Sequence, residues 1–176
     1  MAVTSDPAAV EAAAAAPVAA DSGLGELCVL MKLGEIVLKG SNRKLFERRL
    51  HNNIRSSARG LGEIRLTQRG AGVIILRMPG ASDLEVAELA ERMRNVMGVV
   101  WVHLVRRVAK DIDLVADVAV RSMAERTGTF AVRARRRDKR FPLTSSQIAA
   151  QVGAEIKRAH GMAVRLKNPD NTLFVE

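Results

Sequence analysis

The chain has no tyrosine, one tryptophan and four phenylalanines, so aromatics make up only 3% of its 176 residues while apolar residues reach 48%. A core must therefore be built from Val, Leu, Ile, Ala and Met, with the seven methionines as adaptable filler. Cys28 is the single cysteine. That excludes an intramolecular disulfide and fits a reducing, cytoplasmic setting. No apolar run approaches the roughly 20 residues of a membrane span. Residues 1–24 contain no Lys or Arg. The alanine run Ala12–Ala16 thus lacks a basic region before it, and Asp6 and Glu11 stand in its place, against a signal peptide.

Acidic charge is also short. Against 28 Lys and Arg stand 19 Asp and Glu, a net charge of +9, and three of those acids (Asp6, Glu11, Asp21) lie before Gly25, leaving +12 on the rest. A body this basic points to a polyanion, nucleic acid or an anionic membrane, with nucleic acid favoured.

Residues 1–25 read as a low-complexity leader, interrupted by Pro7 and Pro17, with no apolar face to pack. Order is expected from Glu26. Leu27–Leu33 has strand length, and Ser41 is a plausible N-cap for a helix with Leu45, Phe46, Leu50 and Ile54 on one face. Glu63–Thr67 and Val73–Met78 read as strands joined by the turn Arg69–Gly72. Ser82 and Glu85 have capping-box spacing ahead of Leu84, Ala87, Leu89, Ala90 and Met93. Val99–Val105 is a further strand. The order βαββαβ over 26–107 is the ferredoxin-like pattern of an α+β domain. From 108 to 176 a second α/β unit follows. It has a helix through Ile112, Val115, Val118 and Ala119, a strand Thr129–Arg135, and a helix capped by Thr144 and Gln147. A strand Met162–Leu166, a turn Asn168–Asn171 and a strand opening at Leu173 complete it. A strand starting three residues from the end has little room to complete a sheet, so this unit reads as truncated.

Metal and nucleophile chemistry find little support. His51, His103 and His160 have no ligand spacing, and Cys28 sits among Leu27, Val29 and Leu30 as a buried thiol. The segment Gly34–Ser41 has the wrong spacing for a phosphate loop, and no GxGxxG occurs. The strongest constellation is Arg133, Arg135, Arg136, Arg137, Lys139 and Arg140, opposed only by Asp138. It leaves a strand and enters a loop before a capped helix, where cations and free N–H donors can follow a phosphate backbone. A second basic cluster runs from Lys39 to Arg49 through Arg43, Lys44 and Arg48, with Asn42 beside it as a further candidate for RNA contact. Phe130 and Phe141 flank the loop. Phe130 reads as core; Phe141 stays open between packing and base stacking.

Lys32-Leu-Gly-Glu-Ile-Val-Leu-Lys-Gly-Ser-Asn-Arg43, with Phe46 and Asn53-Ile-Arg55, resembles the opening of the tRNA 4-thiouridine sulfurtransferases, the ThiI family. Phe130-Ala-Val-Arg-Ala-Arg135 through Lys139-Arg-Phe-Pro-Leu-Thr-Ser145, and Val164-Arg-Leu-Lys-Asn-Pro-Asp170, are similar to that family's THUMP domain. The resemblance implies a ferredoxin-like domain, a THUMP domain holding the tRNA acceptor end, and an ATP-pyrophosphatase domain with an SGGxDS loop and a catalytic cysteine. Neither of the last two features occurs here. The expected function is thus tRNA binding for 4-thiouridine formation, within tRNA modification and the linked thiamine biosynthesis, without catalysis by this chain. No cofactor is expected in it; ATP would belong to the catalytic domain. Expected partners are the tRNA acceptor end, a homodimer as a further candidate, and a sulfur-donor protein only where the catalytic domain is present, with no membrane. The competing reading is a regulatory or protein-interaction module, since a ferredoxin-like scaffold hosts many functions.

Overall fold

The computed structural model describes residues 2–5, 25–34, 43–68 and 72–176. Lys39, Asn42, the Ser41 cap, the Gly34–Ser41 segment beyond Gly34, the Arg69–Ala71 part of the turn and leader residues 6–24 lie outside them. Chain order is β1 (Ala2–Ser5), β2 (Glu26–Leu33), α1 (Arg43–Ser57), β3 (Arg65–Gln68), β4 (Val73–Arg77), α2 (Asp83–Arg94) and β5 (Val99–Arg107). Then come α3 (Ile112–Ser122), β6 (Thr129–Ala134), α4 (Ser145–His160), β7 (Ala163–Val164) and β8 (Asn171–Val175). The described residues fall into two compact units, Leu27–Val105 and Arg106–Glu176, the second joined by Ala2–Ser5, Gly25 and Glu26.

In the first unit the strands lie in the order β3-β4-β2-β5. Both β2 and β3 run antiparallel to β4. This is the arrangement that a βαββαβ chain adopts when each crossover returns over one face of the sheet. Alternation along β2 and β4 sends Val29, Met31, Leu33, Ile74 and Leu76 to the helix side, where they meet Leu50 and Ile54 of α1 and Val86, Leu89, Ala90 and Met93 of α2. Ser82 caps α2: its Oγ accepts from Glu85 N–H and the Glu85 carboxylate accepts from Ser82 N–H, which holds the carboxyl below its usual range. Three residues expected on buried faces are exposed instead: Leu45, Phe46 and Leu84. The first turn of α1 precedes the packed ridge that begins at Leu50. Leu84 sits two residues before Val86, about 200° around the helix from it.

The second unit has strands in the order β1-β8-β6-β7, with β6 parallel to β7 and β8 and β1 antiparallel to β8. Phe130, Leu173 and Val175 are wholly buried beneath Val115, Val118, Ala119 and Met123 of α3 and Ile148, Val152 and Ile156 of α4. Two sequence expectations need correction. The leader is not without structure at its start: Ala2–Ser5 forms a strand between β8 and the end of β5, with Val3 opposite both Val175 and Arg106. Strand pairing engages backbone N–H and C=O groups and needs no apolar face. The last strand, likewise, begins at Asn171 and is paired on both sides. Its register is fixed by turn-like residues. The Asp170 carboxylate accepts from Thr129 N–H (2.7 Å) and Thr129 Oγ1 (2.6 Å). Asn171 Nδ2 donates to Thr127 O at 2.8 Å. Gly128 makes room for that knot: its φ is +87° and a Cβ there would lie 2.7 Å from Asp170 Oδ2. By contrast β7 is only two residues long, not the five expected, because the chain leaves the ladder for a turn in which Asn168 has φ +47°.

Candidate nucleic-acid interface

Strand β6 delivers its last residues to a loop, 135–144, that ends at the capped start of α4. Thr144 Oγ1 accepts from Gln147 N–H, and Gln147 Oε1 accepts from Thr144 N–H. The start of α3 reaches the same loop: Lys110 Nζ lies 2.7 Å from Asp138 Oδ2, and next to it the Asp111 carboxylate caps α3 through Asp113 and Leu114 N–H. Two helix N-termini, each with the positive end of its dipole, therefore adjoin one basic loop.

The loop's cations are not equivalent. Side-chain alternation in β6 continues past its end. Phe130, Val132 and Ala134 face the helices, and Arg136 follows them inward: it is half-buried, and its Nη1 donates to Phe141 O (3.1 Å) and Leu143 O (3.4 Å). Arg136 N–H donates to Ser145 Oγ at 2.9 Å. Asp138 is a hub. Arg140 grips its two oxygens through Nε and Nη2, both at 3.1 Å, and Lys110 takes the second oxygen. The Arg140 side chain first, and Lys110 next, hold the Asp138 carboxyl far below the usual carboxylate range, and Asp138 in turn raises the Arg140 pKa. Arg137 pairs with Glu176 Oε2 through Nε (3.0 Å) and Nη2 (2.9 Å). Arg133 is exposed, with Nη2 3.3 Å from Leu166 O. The exposed Arg135 and Lys139 side chains have no ion pair among the described residues; only the Arg135 backbone is engaged, N–H to Val175 O at 2.8 Å.

Mutual repulsion in the loop is thus relieved internally by Asp138, Glu176 and loop carbonyls. Sequence reading placed all six cations in one class, named Asp138 as their opposing charge, and missed the roles of Lys110 and Glu176. The inward turn of Arg136 was readable from the period of two in Phe130, Val132 and Ala134. The second cluster is dispersed along α1, where Lys44, Arg48 and Arg49 are exposed. Arg43 opens that helix. Phe130 is fully buried, and Phe141 packs half-buried on the second core.

The remaining candidates for chemistry lie apart. Cys28 is wholly buried. His160 Nε2 is 2.8 Å from Val120 O, and His103 stacks beside Trp101. Among the described residues no three His, Cys, Asp or Glu side chains gather as a metal site, and no helix is long and apolar enough to cross a membrane.

Residues 28–102 match the ThiI ferredoxin-like domain, and residues 109–176 match the THUMP domain. The chain is similar to a protein of Acetivibrio thermocellus named "Probable tRNA sulfurtransferase", 34% identical over 154 residues, which are 84% of this chain and 39% of that protein. A counterpart of the same name from Nocardia farcinica is 37% identical over 157 residues, 85% of this chain and 37% of that protein. Among solved structures, a 4-thiouridine synthetase–RNA complex with bound ATP shares the fold, with a TM-score of 0.68 at 22% identity over 85% of this chain and 38% of that one. PH1313 from Pyrococcus horikoshii gives a TM-score of 0.66 at 28% identity, over 84% of this chain and 50% of that one. The chain spans about two fifths of the length of the curated relatives it matches. By its two adjoining domains, which together account for most of its length, the chain belongs to the ThiI family.

Proposed function

We propose that this chain binds tRNA, with its THUMP domain holding the acceptor end so that a catalytic domain elsewhere in the full-length protein meets the uridine it converts to 4-thiouridine. One observation carries this reading: two helix N-termini converge on a basic loop whose Arg135 and Lys139 remain available for phosphate. A-form RNA buries its sequence information in a narrow groove, so backbone shape and an unpaired end are what such a site can read. Remote binding of this kind positions a reacting group at a distance. The relatives' names and the RNA complex of similar fold support it. A regulatory or protein-interaction module is the less favoured reading, since it leaves the exposed cations of two clusters without a role.

The residues proposed to contact RNA are Lys39, Asn42, Arg43, Lys44, Arg133, Arg135, Arg136, Arg137, Lys139 and Arg140. Within it, Arg135 and Lys139 are expected to contribute most, and Arg136 to act by shaping the loop. The test compares an Arg135→Ala, Lys139→Ala variant with an Arg48→Ala, Arg49→Ala variant. Each is titrated with an intact acceptor stem and with one lacking the single-stranded 3′ end. The loop variant should bind the intact stem more weakly, with a salt slope shallower by up to about two phosphates' worth, and should lose less than wild type when the 3′ end is removed. Equal losses in wild type and the loop variant would place the acceptor end elsewhere.

A further inference from the structure

The first unit's sheet has a second face, away from α1 and α2. Directly paired residues share a face of a sheet, so the pairings Leu30–Ile75–Thr67 and Lys32–Val73 put those residues there, and Arg77–Arg65 likewise. Strand β5 contributes through an irregularity. Val99 and Val102 both pack on the helix-side core although they are three residues apart. Strict alternation forbids this, so one extra residue is accommodated between them, as in a β-bulge. The bulge leaves Val100 and Trp101 both exposed, and His103 follows on the same face as Trp101. The two rings are parallel within 6°, with centroids 6.1 Å apart. Lys32 is level with them. Gly34 N–H donates to Gly98 O at one end of the β2–β5 pair, and Gly25 abuts Arg107 at the other, so the strands run antiparallel. Two residues in from Gly34 and two on from Gly98 brings Lys32 opposite Val100 and Trp101.

Trp101 is the only tryptophan in a chain poor in aromatics, yet it is 50% exposed rather than spent on the core. The strand segments on this face, Leu30–Lys32, Arg65–Thr67, Val73–Arg77 and Trp101–His103, contain no carboxylate; Arg65 borrows one from Glu63 beside the strand, at 2.9 Å. A half-exposed indole stacked on an imidazole, with Lys32 level with it on the neighbouring strand, suits a flat π-surface bearing negative charge. A protein partner would need matching acids and a larger apolar area.

We infer that the exposed end of this second sheet face, beyond the buried Cys28 and Val105, is a stacking platform for an unpaired nucleobase of RNA, with Trp101 and His103 as the stacking surface and Lys32 for the adjoining phosphate. Sheets of this kind recognise single-stranded RNA by stacking bases on strand aromatics. The site is separate from the basic loop of the THUMP domain and does not depend on that loop's role.

The chain reports on this site directly, because with one tryptophan and no tyrosine its fluorescence near 340 nm is that of Trp101. The full chain is titrated with a ten-nucleotide single-stranded RNA, the same strand made abasic, and a blunt duplex of equal charge. Quenching of Trp101 is expected with the single strand, and little with the abasic strand or the duplex. With a labelled strand, Trp101→Ala should bind roughly tenfold more weakly with an unchanged salt slope, and Trp101→Phe should recover most of the loss. The Arg135→Ala, Lys139→Ala variant should keep the quenching amplitude, so failure of the loop assignment is distinguishable from failure of this one. Equal quenching by the abasic strand, or wild-type affinity in Trp101→Ala, overturns the proposal. A change of oligomeric state in Trp101→Ala with RNA affinity intact also overturns it, marking the face as a protein interface.

Discussion

Neighbouring arginines in the THUMP loop have opposite fates because of where the strand leaves them. Arg136 continues the inward row of β6 and spends its guanidinium on the Phe141 and Leu143 carbonyls, while Arg135 faces solvent. Deleting Arg136 strands two carbonyls beside half-buried Phe141 and Leu143. Arg136→Ala is therefore expected to destabilise the chain by about 1–2 kcal/mol, the scale of hydrogen bonds from a charged donor, whereas Arg135→Ala leaves stability within about 0.5 kcal/mol. Urea unfolding of the two variants checks this; equal midpoints would show that Arg136 is not a strut. The same reasoning explains why Asp138 survives in a loop of cations. Arg140 and Lys110 lower its pKa, so it keeps its counter-charge into acid where an ordinary aspartate would be protonated.

At the scale of elements, the sequence pattern was informative where local chemistry and burial agree. The capping boxes Ser82–Glu85 and Thr144–Gln147 form as their spacing indicates, and Gly161 ends α4 in the left-handed conformation at φ +66°. The ferredoxin-like order follows from alternation and turn residues alone. What was not legible depends on partners distant in sequence. Nothing local to Ala2–Ser5 predicts a strand, because its partners are Arg106, Arg107 and Leu173–Val175. The Asp170–Thr129 knot spans 41 residues, so Asn168–Asn171 read only as a turn. The bulge at Val100–Trp101 is hidden too, since Val99–Val102 is apolar throughout and carries no alternation to break. The cap of α4 matters for the interface as well as for the helix. Thr144→Ala should cost about 1 kcal/mol and loosen the loop that Arg136 and Ser145 tie to it, visible as faster amide exchange over residues 136–144. Exchange there unchanged, with only the α4 amides affected, would separate the cap from the loop.

For the molecule as a whole, charge is the property that joins composition to function. The acids are concentrated in pairs and caps: Glu88 with Arg92, Glu91 with Arg94, Asp117 with Arg121 and Asp111 at the start of α3. Such exposed pairs add little stability individually. They neutralise part of the surface and leave Arg135, Lys139, Lys44, Arg48 and Arg49 among the exposed cations that remain. Two domains of the ThiI family, each with an exposed cationic feature, are consistent with RNA engaged at more than one place. The measurement that tests this most directly is filter binding of unmodified tRNA to the full chain as a function of salt. With about three to five phosphate contacts, affinity should fall along a log–log slope on the order of −2 to −4. No tRNA affinity at low salt, or an affinity independent of salt, would contradict the account.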